Sequence, residues 1–223
     1  MDLPDLSNLD LAYETGLHIG DGNLSGPPAH DYRYVLSGNA NTEFEFYTLI
    51  ISPLIEKLYS LKPYVYTNRN SIYSRVYSKD LVMFKARELG LPIGPKRQMT
   101  RLPLKIVEHG KEHVSQILSG LYDTDGSPKI RKTPSRWYPR ISIAQRNEAI
   151  VREVHRLLYD VFDITNTLYR NVYHDSRYST VAVRWFLDIN GFENLAKFIK
   201  CIGSRHPVVR GKLKFLESLR GQL

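Results

Sequence analysis

Apolar and polar positions along the chain fall into two similar halves. Leu9 to Ile19 and Val114 to Tyr122 are apolar runs with helical spacing, and Asn8 stands where an N-cap for the first of them belongs. After the first run, Tyr32 to Ser37 predicts a strand and Thr42 to Tyr59 an amphipathic helix. Tyr64 to Thr67 and Ser71 to Ser78 predict a hairpin across Asn68-Arg69-Asn70, and Asp80 to Leu89 a helix. The second half repeats the order: strand Arg140 to Ala144, helix Asn147 to Asp160, hairpin strands Thr165 to Tyr173 and Thr180 to Phe186, and helix Phe192 to Ile202. A last helix, Val208 to Arg220, follows His206-Pro207, and Gly94-Pro95 to Pro103 reads as the connection between the halves.

The repeat is also visible in the residues themselves. Gly16-Leu17-His18-Ile19-Gly20-Asp21-Gly22 and Gly120-Leu121-Tyr122-Asp123-Thr124-Asp125-Gly126 share Gly-Leu-x-x-x-Asp-Gly at a constant offset of 104 residues, close to half of the 223-residue chain. A glycine inside a helix costs about 1 kcal/mol relative to alanine, so Gly16 and Gly20 need a compensating contact. Two helices packed almost backbone to backbone supply one, with Gly120 and Thr124 as the less complete counterparts. Asp21 and Asp125 then sit at helix C-termini, where the macrodipole disfavours a carboxylate. Brought together, they form a concentrated negative site suited to a hard cation such as Mg²⁺, held by carboxylates, backbone carbonyls and water.

Charge changes the picture further. The chain carries 31 Lys and Arg against 23 Asp and Glu, a formal charge of +8, which favours a polyanionic partner. The first 110 residues balance 12 basic against 12 acidic side chains, whereas the remainder carries 19 against 11. Ser127 to Arg146 holds Lys129, Arg131, Lys132, Arg136, Arg140 and Arg146 without an acid, and both a solvated loop and a phosphate-tracking surface fit that run. Cys201 is the one cysteine, so a disulfide framework and a thiolate metal cluster are excluded. The acidic start Met1-Asp2-Leu3-Pro4-Asp5 and the lack of an apolar run of about 20 residues predict a soluble, cytoplasmic protein without membrane contact, nucleoid-associated in a prokaryote.

Three other motif readings fail. Asp123-Thr124-Asp125-Gly126-Ser127 fits the phosphatase pattern Asp-x-Asp-x-Thr/Ser only superficially, because Gly120 interrupts the preceding run and the repeat counterpart of Asp123 is Ile19. Neither copy contains the Asp-Thr-Gly or Asp-Ser-Gly of aspartic proteases. An EF-hand loop lacks its sixth-position glycine and twelfth-position glutamate.

Leu11-Ala12-Tyr13-Glu14-Thr15-Gly16-Leu17-His18-Ile19-Gly20-Asp21-Gly22 and Ile117-Leu118-Ser119-Gly120-Leu121-Tyr122-Asp123-Thr124-Asp125-Gly126 together resemble the two motifs of a monomeric LAGLIDADG homing endonuclease of the archaeal intron type. The second is the closer match; the first departs at Ile19 but keeps Asp21. The resemblance implies an α+β fold of tandem αββαββα repeats with pseudo-two-fold symmetry. Motif helices form the interface, and two saddle-shaped antiparallel sheets lie in the DNA major groove. It implies an N-terminal repeat over 1–96, a linker over 97–110 and a C-terminal repeat over 111–223.

The implied activity is Mg²⁺-dependent double-strand cleavage across the minor groove of a long asymmetric site, leaving 3′ overhangs. Mn²⁺ is expected to substitute, and Ca²⁺ to support binding without cleavage. The chain is expected to act as a monomer on double-stranded DNA without an obligate protein partner. An intron RNA maturase, with RNA as partner, or a non-cleaving DNA-binding regulator is the competing reading. Asp21 and Asp125, with the carbonyls of Gly20 and Thr124, are the implied metal ligands. Gln145, Asn39, Lys129 and Lys79 are the candidates for a water-ordering shell. Alternation within the strands places Tyr73, Arg75 and Tyr77 of the first half on a polar sheet face, and Arg140, Ser142 and Arg184 of the second, with Arg33, Ser37, Arg131, Lys132 and Arg136 as further expected DNA contacts.

Overall fold

The structure, a computed structural model, describes residues 3–27, 31–134, 137–175 and 180–220. The first half runs α1 (Leu9–Asp21), β1 (Gly22–Ser25), β2 (Arg33–Asn39), α2 (Ala40–Phe46), α3 (Ser52–Tyr59), β3 (Tyr64–Asn68), β4 (Ser71–Tyr77) and α4 (Lys79–Arg87). A short helix α5 (Leu104–Val107) follows. The second half runs α6 (Lys111–Asp125), β5 (Gly126–Lys132), β6 (Trp137–Gln145), α7 (Glu148–Asp160), β7 (Thr167–Asp175), β8 (Thr180–Asn190), α8 (Phe192–Cys201) and α9 (Pro207–Ser218). Each half builds a four-stranded antiparallel sheet of the same order, β1-β2-β4-β3 and β5-β6-β8-β7. Among the described residues no helix is long and apolar enough to cross a membrane.

Three elements differ from the sequence expectation in kind. Strands β1 and β5 are absent from the periodicity reading because both are short on apolar residues, and β5 contains Pro128 and three basic side chains. Both are edge strands, the place where proline and lysine are tolerated in a sheet. The basic stretch from Ser127 to Lys132 is therefore a strand and not a loop. The single helix expected over Thr42 to Tyr59 is broken into α2, a π-helical turn over Tyr47–Ile51, and α3. Pro53 lies in the first turn of α3; without an N–H it cannot continue the ladder, and the wider turn before it absorbs the interruption.

The motif helices meet where the glycines require. A Cβ on Gly16 would overlap the Ile117 carbonyl oxygen and stand 2.8 Å from Leu121 N and 3.0 Å from Gly120 Cα. One on Gly120 would overlap the Tyr13 carbonyl oxygen and stand 2.8 Å from Leu17 N. At the helix ends, Gly22 and Gly126 have extended backbone, with φ of −80° and −95°, so neither is a left-handed stop. They are glycines because a side chain there would run into the His18 and Tyr122 rings. Asp123, without an acidic counterpart in the first motif, locks the pair: it accepts from Tyr13 Oη across the interface at 2.6 Å and from the backbone N–H of Arg205 at 2.8 Å.

Under the first sheet lies a fully buried ion pair, Lys85 to Glu14 at 2.5 Å. The Glu14 carboxylate also accepts from Tyr59 Oη at 2.9 Å and from Tyr34 Oη. Removing one partner of such a pair strands the other charge, which costs about 3–5 kcal/mol. Lys85→Met is therefore expected to lower stability by about that amount in urea unfolding. Glu14→Gln combined with Lys85→Met should recover part of the loss, since the two residues share one interaction.

Candidate active site

Asp21 and Asp125 are the last residues of α1 and α6, and the close helix contact delivers both to one end of the pair. Gly20 permits this: a Cβ there would overlap Thr124 Oγ1 and stand 2.8 Å from Asp125 Oδ2. The Thr124 hydroxyl turns back onto its own helix, donating to Leu121 O at 2.9 Å. Burial, the neighbouring Asp125 and Glu43 push the Asp21 carboxyl up to about 8, against the opposing pull of Lys96. Burial likewise raises Asp125 to about 6, held back by Lys96, by the Gln145 hydrogen bond and by Arg184.

Lys96 is a site residue that the sequence reading placed in a linker. The connection between the halves is folded onto both: Gly94 N–H donates to Leu24 O at 2.8 Å, and the Asn147 side chain donates to Lys96 O at 3.1 Å and Met99 O at 2.8 Å. A 3₁₀ turn over Lys96–Gln98 then aims the Lys96 ammonium at the C-terminus of α1, where it donates to His18 O at 3.0 Å and to Gly20 O. Burial lowers its pKa, while Asp125 and Asp21 pull the other way. No periodic signal marks such a lysine in the sequence.

Of the proposed water-ordering residues, the structure brings Gln145 to the acids and leaves the others elsewhere. Gln145 Nε2 donates to Asp125 Oδ2 at 2.5 Å. Asn39 caps α2, its side chain accepting from Asn41 N at 2.9 Å. Register explains the difference: Gly22 faces Leu36 and Gly126 faces Ile143, so the partner of Gln145 by position is Gly38, one residue before Asn39. Lys129 lies exposed on β5, and Lys79 lies in the first turn of α4 with its ammonium 5.7 Å from the Tyr32 ring centre. The cations that act on the acid pair are instead Lys96 and Arg184. A cleft of about 580 Å³ opens beside them, lined by Gly20, Lys96, Asp125, Gln145, Arg146 and Arg184.

The donor set fits a hard divalent cation. Two carboxylates whose proton affinities are raised, helix-end carbonyl oxygens and a side-chain amide are oxygen-rich, and the Lys96 ammonium already occupies the helix-end carbonyls as a cation would. Among the described residues no three or more His, Cys, Asp or Glu side chains form an ion cage by themselves. Water and a phosphate oxygen are the natural remaining ligands for Mg²⁺.

The open faces of the two sheets differ in chemistry. Pairing of Arg33 with Tyr77, Val35 with Arg75 and Ser37 with Tyr73 puts all six on one face, opposite the buried Tyr34, Leu36, Ile72 and Val76. Arg75 lies 4.7 Å from the Tyr66 ring centre, and Tyr64, Tyr66 and Tyr73 stack at 5.2 and 5.0 Å. Arg33 donates to Ser25 Oγ at 3.3 Å. On the second sheet, Lys129 and Arg131 are in phase with Arg140 and Ser142, of which Ser142 is buried. Arg140 is held by Asp188 at 2.7 Å and Ser142 donates to the same carboxylate at 2.5 Å, a buried acid that alternation alone did not single out. Lys132 falls on the opposite face, its ammonium 4.8 Å from the Trp137 ring centre, because it is one residue out of phase with Arg131. Arg184 lines the cleft. Arg136 lies outside the described residues.

With this geometry in place, comparison with known proteins is informative. A search of curated proteins gives no match. I-DmoI in complex with DNA and Mn aligns with a TM-score of 0.62 at 23% identity, over 91% of this chain and 99% of that one. The LAGLIDADG homing endonuclease I-GzeII in complex with its DNA target aligns with a TM-score of 0.59 at 8% identity, over 96% and 91%. DUF199/WhiA from Thermatoga maritima aligns at 0.57 and 16% identity over all of this chain and 62% of its own. Residues 112–203 match the family model of the LAGLIDADG-like domain. Residues 112–203 are thus similar to the LAGLIDADG-like domain, and the chain as a whole has the two-repeat, pseudo-symmetric fold seen in single-chain LAGLIDADG homing endonucleases.

Proposed function

We propose that this chain is a site-specific double-strand DNA homing endonuclease that works as a monomer, each repeat (1–96 and 111–223, joined by 97–110) reading one half of a long asymmetric site. The observation that carries the proposal is the convergence of Asp21 and Asp125 at one end of the paired motif helices, beside a cleft that Asp125, Gln145 and Arg184 line. A module that only bound nucleic acid would have no use for two carboxylates whose proton affinities are both raised at the paired helix ends.

Asp21, Asp125, the Gly20 carbonyl and, through Asp125, Gln145 would hold Mg²⁺, which supplies charge stabilisation at the scissile phosphate and a more acidic water. Gln145 fixes the Asp125 carboxylate. Lys96 places positive charge beside the helix ends, where negative charge grows as the phosphodiester is attacked. The two acids act on opposite strands, and cleavage across the minor groove leaves 3′ overhangs. I-DmoI has been captured with DNA and Mn and with DNA and Ca, which supports Mn²⁺ as a substitute and Ca²⁺ as an ion for binding assays. The test is selection from a randomised duplex library with Mg²⁺: wild type should enrich one long asymmetric site among cleaved molecules, and equal enrichment by an Asp21→Asn/Asp125→Asn double variant would refute the assignment.

The raised carboxyl pKa values give a pH signature. A folded-state pKa above the unfolded value near 3.8 means that the folded chain holds more protons, so these two acids favour folding less as pH rises from about 4 through 6 to 8. An ion that needs the ionised acids must displace those protons. Apparent Mg²⁺ affinity should therefore increase between pH 6 and 8 with net proton release, read by calorimetry in buffers of different ionisation enthalpy.

Salt dependence separates the two faces of the second sheet. Lys129→Gln and Arg131→Gln should each reduce the slope of log affinity against log salt by up to about 0.9, the value for one lost phosphate contact. Lys132→Gln, on the other face, should change it less. The slopes are read by fluorescence anisotropy on the selected duplex in Ca²⁺.

A further inference from the structure

The two half-sites differ in chemistry. Where the second repeat presents Gln145 to Asp125, the first has Gly38, and the space that a side chain would fill there is taken by Glu43 from α2. A Cβ on Gly38 would overlap Glu43 Oε2 and stand 2.7 Å from Tyr47 Cε2 and 3.0 Å from Tyr47 Oη. Glu43 is held in place by the backbone N–H of Asn39, which donates to Oε2 at 2.6 Å. Tyr47 is 1% exposed, and its hydroxyl has no hydrogen-bond partner although it lies in the field of both Asp21 and Glu43. A buried hydroxyl left so is costly unless water or a ligand oxygen meets it.

Resting on the endonuclease reading, we propose that Glu43 is the first repeat's replacement for the missing glutamine: a carboxylate that orders cation-bound water together with Tyr47 Oη and makes the Asp21 half-site the tighter of two unequal divalent-cation sites. Gln145 brings an amide that donates to its acid and adds no charge. Glu43 can only accept when ionised, and it adds a second negative charge beside Asp21. A hydrated ion suits this arrangement, because Mg²⁺ and Mn²⁺ retain several waters and a carboxylate set back from the ion can bind through them. Glu43 is in this sense a positioning residue acting through water. The strand served by Asp21 is then the first to be charged with metal when the ion is scarce.

Mn²⁺ binding to the free, full-length chain, followed by the loss of the aqueous Mn²⁺ electron-paramagnetic signal, tests this without cleavage. Glu43→Gln keeps the acceptor for Asn39 N–H, so its metal-free unfolding temperature should stay near wild type while the tighter Mn²⁺ constant weakens about tenfold. Gln145→Glu, which places a second carboxylate in the other half-site, should tighten the weaker constant, and it decides the matter should Glu43→Gln not fold. Wild-type Mn²⁺ constants in both variants, alongside loss of binding in Asp21→Asn/Asp125→Asn, would overturn the inference and leave the endonuclease reading standing. Retained Mn²⁺ binding in that double variant would overturn the metal site itself, and this proposal with it.

Discussion

Asp21→Asn and Asp125→Asn are each expected to abolish double-strand cleavage while leaving duplex binding within a few-fold of wild type. An amide keeps the shape of the carboxyl group but withdraws the charge that would hold a divalent cation, and losing one preorganised electrostatic contact to a developing charge costs about 10²–10³ in rate. Binding survives because the sheet faces carry their own basic groups, which neither substitution touches. Each single variant should still nick the strand served by the remaining acid. Because burial raises both carboxyl pKa values, the ionised acids disfavour the folded state, and neither substitution should destabilise the metal-free fold. Supercoiled plasmid bearing the selected site resolves intact, nicked and linear products, and anisotropy in Ca²⁺ measures binding.

Gly16→Leu and Gly120→Leu are expected to reduce stability and cleavage together. At both positions the opposing atoms are backbone, which cannot rotate aside, so the helices must separate to admit a side chain. Overpacking typically costs about 1–3 kcal/mol, and this contact should lie at the upper end. The same two helices carry Asp21 and Asp125 at their ends, and a displacement of about 1 Å at a reacting centre can cost roughly 10²-fold in rate. Thermal unfolding and cleavage rate should both fall for both variants. Near-normal values for either would contradict the packing described for α1 and α6.

Why some of this was legible in the sequence and some was not follows from the physics of each element. The paired motifs were readable because glycine in a helix is costly and an acid at a helix C-terminus is disfavoured, so their recurrence demanded an explanation that the helix contact supplies. Hairpin β3–β4 and the polar face of Tyr73, Arg75 and Tyr77 were readable because a strand buried on one side alternates. Strands β1 and β5 were not, because β1 has only four residues with Leu24 as its one large apolar side chain, and β5 is an edge strand with Pro128 and three basic residues. Lys96 and Glu43 enter the site through tertiary placement, one from a connection folded back between the halves and the other from α2, turned back onto the end of β2. Asn39 was misplaced by one residue, and only the registers of β1 with β2 and β5 with β6 reveal that Gly38 is the partner of Gln145. One feature did carry the missing signal: a glycine at Gly38, in a strand that otherwise favours side chains, marks a place where another group approaches closely.

Assignment of one acid to each strand is tested most directly by where the two strands of a selected duplex are cut. Mapping both 5′ ends at nucleotide resolution after incubation with Mg²⁺ should give two cuts a few base pairs apart, staggered across one minor groove. The cut on one strand should disappear in Asp21→Asn and the cut on the other in Asp125→Asn. Loss of the same cut in both variants, or two cuts that persist in the double variant, would contradict a site in which one acid serves each strand.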